Sequence, residues 1–97
     1  MVLYVMIVKL SKHRNTVNRD SVITGAQVRA ARALLRWTVQ QLSEESRVSL
    51  PTLHRLEQHD AVPPVRERTL VDVKRALEEA GVEFIGSPDD KPGVRFK

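Results

Sequence analysis

Residues 38 to 57 read TVQQLSEESRVSLPTLHRLE, two short apolar-periodic runs separated by a break of about three residues. Thr38 followed by Gln41 forms a capping box: the Thr oxygen accepts from a backbone amide three residues on, and the Gln side chain reaches back. A helix is therefore expected from Thr38 to about Ser46. Ser49 is the next capping residue. Pro51, two residues later, is tolerable because first-turn amides have no intrahelical carbonyl to reach. A second helix follows at about 50 to 58. The connection over residues 47 to 49 is too short for the two helices to lie antiparallel, so their axes must cross sharply, as in a helix-turn-helix. Leu42, Val48, Leu53 and Leu56 then point into a core, and Ser43 is small enough for the later helix to approach. The opposite face carries Leu50, Pro51, His54, Arg55 and Gln58, neighbours at three- and four-residue spacing that form one patch able to enter a major groove.

Outward from this pair, Val28, Ala31, Leu34 and Leu35 recur at helical spacing over residues 24 to 36, with Arg29, Arg32 and Arg36 among them. HDAVPP ends the helix after Ser49. A further helix at about 66 to 80 places Leu70, Val73, Leu77 and Ala80 on one stripe, with Gly81 as its stop. VEFIG and GVRFK, two alternating segments around SPDDKP, suggest a hairpin with a long loop. At the other end, Met1 to Leu10 is apolar on both alternating faces and fits a strand buried on both sides. Residues 11 to 22 are polar and basic without period, a linker or arm. The organisation is thus an N-terminal strand and basic arm over 1–22, a four-helix domain over 23–80, and a C-terminal β-hairpin over 81–97, mainly α overall.

The 97 residues suit one small domain. With four aromatics, its core must be built from Leu, Val, Ile and Ala. A core this small leaves room for stabilisation by dimerisation. No cysteine is present, which excludes a disulfide framework and thiolate metal sites and fits a reducing cytoplasm. The apolar opening MVLYVMIVKL is about half the ~20 residues that span a bilayer, and its basic residues follow the apolar run, so neither membrane nor export is expected. Net charge is +4, but residues 1 to 36 carry seven Lys and Arg against one acid, whereas residues 37 to 97 carry nine against eleven. Such asymmetry suits a polyanionic partner. The arm residues Lys9, Lys12, Arg14 and Arg19 would track phosphate or an adjacent minor groove.

The run from Thr38 to Glu57 resembles the helix-turn-helix of the lambda-repressor-like or XRE family of bacterial and phage regulators. That family has Thr or Ser opening its second helix, Leu and a small residue within it, Val-Ser at the turn, then Thr-Ile, and Glu near the end of the third helix. This chain supplies Thr38, Leu42, Ser43, Val48, Ser49, Thr52, Leu53 and Glu57, and the likeness covers about residues 23 to 80. The resemblance implies sequence-specific binding of double-stranded DNA by a homodimer. It also implies a structural pairing of Glu57 with an Arg of the first helix, for which Arg32 is in place.

Three positions depart from the family pattern. Val39 stands where a phosphate-contacting Gln is usual, Arg47 where the turn has Gly, and Pro51 where a residue often reads a base. Arg47 either strains the turn or supplies a phosphate contact of its own. Leu50 and Pro51 offer apolar contact to a thymine methyl. Direct readout falls mainly on Arg55, which can bind guanine bidentately, with Gln58, His54 and Thr52 beside it. Ser49, Thr38 and Gln40 complete the expected DNA-binding set.

Enzyme chemistry finds little support. His54 and His59 are five apart and do not share a helix face, no HExxH motif is present, and PDDK at 88 to 91 reads as a Pro-flanked acidic turn. No metal or cofactor is expected. A second functional reading keeps the fold but sets the third helix or the added strands against a protein partner, as an adaptor of anti-activator or antitoxin type.

Overall fold

The computed structural model describes residues 22–97, which form four helices and a C-terminal two-stranded antiparallel hairpin, a mixed α/β arrangement. The strand expected over residues 1–10 and, Val22 apart, the basic arm with Lys9, Lys12, Arg14 and Arg19 lie outside the described residues. The helices are α1 (Gly25–Leu35), α2 (Val39–Ser46), α3 (Leu50–Glu57) and α4 (Glu67–Glu79); the strands are β1 (Val82–Ser87) and β2 (Asp90–Phe96).

Local chemistry accounts for the helix boundaries. Thr24 and Gln27 close a capping box at the start of α1, and Thr38 and Gln41 close another at the start of α2, each satisfying two amides that otherwise lack partners. Ser49 accepts from the Thr52 amide at the start of α3, and Pro51 sits in that first turn. α1 ends on Arg36 and α2 on Arg47, both in the left-handed conformation. The link between α2 and α3 is fastened by two serines. Ser43 Oγ donates to the Val48 carbonyl at 2.6 Å, and Ser46 Oγ accepts from the Val48 amide at 3.2 Å while donating to the Leu42 carbonyl. Both polar groups of Val48 are thereby satisfied, which lets its side chain enter the core without stranding buried amide groups.

That core is aliphatic: Ile23, Val28, Ala31, Leu42, Val48, Leu53, Leu56, Leu70, Val73, Ala76, Leu77 and Val82 are buried, drawn from all four helices and β1. Leu35, Trp37, Val39, Val65, Phe84 and Val94 pack against it from the rim. Every buried side-chain polar atom among the described residues has a hydrogen-bond partner. Gln27 does double duty there: beyond its capping role, its amide nitrogen donates to the carbonyls of Gly93 (3.0 Å) and Ile85 (3.4 Å) and so ties the hairpin to α1.

The hairpin is tighter than the expected long loop. Ser87 pairs with Asp90, leaving Pro88 and Asp89 as the turn, and an irregularity between Ile85 and Ser87 absorbs the mismatch in register. Gly86 makes this possible. It has φ 73°, and a Cβ there would lie 2.0 Å from the Lys91 carbonyl oxygen. Pro92, which had argued for loop, is accommodated as an exposed residue of β2.

Candidate nucleic-acid interface

α3 buries Leu53 and Leu56 completely, and its other side is open to solvent. Pro51, His54, Arg55 and Gln58 are exposed there at three- and four-residue spacing, and Leu50 is half-buried at the edge. Thr52 is also half-buried, and its hydroxyl accepts from Ser49 Oγ at 2.9 Å. These two side chains therefore hold the start of α3 as well as bordering its open face. At the start of α2, Thr38 and Gln40 are exposed, the Thr38 hydroxyl being engaged by the Gln41 amide at 3.0 Å. Val39 packs against the core.

Two arginines of α1 hold the far end of α3. Arg32 donates from Nε and Nη2 to the two carboxylate oxygens of Glu57, each at 2.8 Å, and from Nη1 to the Trp37 carbonyl at 2.9 Å. The hydrogen bonds to Glu57 raise the Arg32 guanidinium above its ordinary pKa, against the opposing effect of burial and with help from the charge of Glu57. Arg29 donates to the carbonyl of Glu57 and, at 2.6 Å, to Asp60 Oδ1. A guanidinium against the last carbonyls of a helix satisfies acceptors that have no intrahelical donor and suits the helix dipole. The sequence reading places Arg29 in the first helix without a partner, although its three-residue offset from Arg32 puts both on one side of α1. Gly25 completes the junction. Its amide donates to the Ala61 carbonyl at 3.0 Å, and the chain approaches α3 so closely that a Cβ would lie 1.9 Å from the His59 carbonyl oxygen.

The described residues contain nine arginines, five of them paired with a carboxylate. Arg29, Arg32, Arg68, Arg75 and Arg95 each meet a carboxylate, respectively of Asp60, Glu57, Asp72, Asp72 and Glu83. Arg36, Arg47, Arg55 and Arg66 are exposed and meet none. In chain order these four precede α2, follow α2, lie on α3 and precede α4. Arg55 and Arg66 face a common open groove of about 620 Å³, walled by Thr52, Pro64, Val65 and Thr69. Arg36 and Arg66 were not expected at the site; nothing in their local sequence distinguishes them from any solvated arginine. A second depression, of about 470 Å³, lies between the hairpin, Ile23 and Lys74, apart from these residues.

No group of three or more His, Asp or Glu among the described residues is placed to hold a metal ion, and no helix there is long and apolar enough to cross a membrane. No protein-family model and no curated protein matches the chain.

Proposed function

We propose that the chain is a sequence-specific DNA-binding transcriptional regulator of the XRE type, in which α2 and α3 act as a helix-turn-helix and α3 enters the major groove. The observation that carries this reading is the set of exposed arginines without carboxylate partners around α2 and the open face of α3. Arg29 and Arg32 are spent on holding the end of α3, whereas Arg36 and Arg47 at the two ends of α2, Arg55 on α3 and Arg66 across the groove from Arg55 are exposed without a carboxylate partner. A surface that neutralises phosphates needs free cations there. Arg55, exposed and unpaired on the open face of α3, is the residue of choice for bidentate readout of guanine, with His54, Gln58 and the apolar Pro51 beside it. Arg29 and Arg32 fix the orientation of α3, which readout at hydrogen-bond precision requires.

Two copies would read a near-palindromic site, with their third helices about 34 Å apart, one turn of duplex. Such a protein works in the cytoplasm and needs no cofactor. Selection of bound sites from random duplexes tests the reading, followed by titration of the selected site against salt. A regulator yields a consensus and loses affinity steeply between about 50 and 200 mM salt. Absence of a consensus and weak binding at every salt concentration would instead favour the adaptor reading, with a protein as partner.

A further inference from the structure

Three residues other than glycine adopt left-handed backbone: Arg36 (φ 58°), Arg47 (φ 62°) and Lys91 (φ 54°). In that region Cβ crowds the following carbonyl oxygen, a contact glycine lacks, and helices that end in it most often do so on glycine. Arg36 ends α1 and Arg47 ends α2, so both occupy positions where glycine would be the less strained residue.

Their surroundings hold the backbone still and leave the side chain free. Arg36 lies between Leu35 and Trp37, which both pack against the core, and Arg32 grips the Trp37 carbonyl at 2.9 Å. Arg47 lies between Ser46 and Val48, both buried and hydrogen-bonded to each other. Each is thus an exposed, unpaired guanidinium on a fixed base. Backbone strain held in place by its surroundings clusters at functional sites, and at Arg36 and Arg47 it coincides with an exposed, unpaired cation at an end of α2. The eight residues of α2 span about 12 Å, so arginines at its two ends would meet separate phosphates.

We propose that Arg36 and Arg47 are phosphate anchors bracketing α2, retained at a cost in stability that glycine would remove. This rests on the DNA-binding reading and deepens it: these residues supply affinity for any duplex, whereas Arg55 supplies preference among sequences.

Lys91 provides the control, being left-handed, exposed and cationic but placed in the hairpin, which packs on α1 and α4. The experiment compares the parent with Arg36→Gly, Arg47→Gly, the double variant and Lys91→Gly. It measures thermal melting and the dependence of affinity on salt for a labelled duplex of random sequence. All three single variants should melt higher than the parent by a few degrees. In a plot of log affinity against log salt, each arginine variant should flatten the slope by about 0.9 and the double variant by about 1.8, with Lys91→Gly leaving it unchanged. Arginine variants that keep the parent's slope would overturn the proposal and leave DNA binding itself standing. A parent that shows no salt-dependent binding would overturn both. Lower melting of Arg36→Gly and Arg47→Gly would refute the retained cost.

Discussion

Arg32 and Glu57 stand 25 residues apart in the chain and meet as a bidentate pair, both contacts at 2.8 Å, with their side chains 25% and 10% exposed. Glu57→Ala leaves the guanidinium partly buried without its carboxylate. Breaking a well-buried pair costs about 3–5 kcal/mol, and the residual exposure here lowers the expectation to about 2–4 kcal/mol. Urea unfolding measures it. A loss below about 1 kcal/mol would mean that the pair contributes no more than an ordinary surface salt bridge.

Arg55 presents the contrary case, since it is exposed and has no partner to strand. Arg55→Ala should leave the melting temperature unchanged while lowering affinity for the selected site by about 1–3 kcal/mol and relaxing preference at one base pair. Unaltered affinity for that site would remove Arg55 from the reading surface.

Gly25→Ala introduces a methyl group 1.9 Å from the His59 carbonyl oxygen and 2.5 Å from that of Leu56. Both obstacles are backbone, so α1 must move away from the end of α3, at an expected cost of about 2 kcal/mol or more. Calorimetry on the purified variant decides this; melting within a degree of the parent would show that the junction yields easily.

Across the hairpin, Arg95 donates to both carboxylate oxygens of Glu83, at 3.0 and 3.1 Å. Those hydrogen bonds first, then the charges of Arg95 and Lys97, hold the Glu83 pKa below the usual carboxylate value. A group depressed in the folded state contributes stability above its unfolded pKa, about 4.3 for Glu, and loses it as pH falls through the folded value. Glu83→Gln should therefore melt slightly below the parent at neutral pH, and the difference should close in acid. Because the pair is exposed the effect is small; a gap that widens on acidification would contradict the sign.

Much of the architecture was legible from local chemistry. Capping at Thr38 and Ser49, the stripes through Val28, Leu53 and Leu70, and the stop near Gly81 act over a few residues of chain, so the sequence alone determined four helices to within about a residue of their ends. It also determined which face of α3 is apolar, because 3.6-residue periodicity is a property of spacing. Tertiary structure decided what spacing cannot carry. That Gln27 serves the hairpin 66 residues away, that Gly25 lies against the His59 carbonyl, and that Arg29 and Arg32 find Asp60 and Glu57 are all consequences of long-range approach. The hairpin turn belongs to the same class. SPDDKP reads as loop because Pro and Asp disfavour strands, and only the irregularity at Gly86, which brings Ser87 opposite Asp90, lets pairing run up to a two-residue turn.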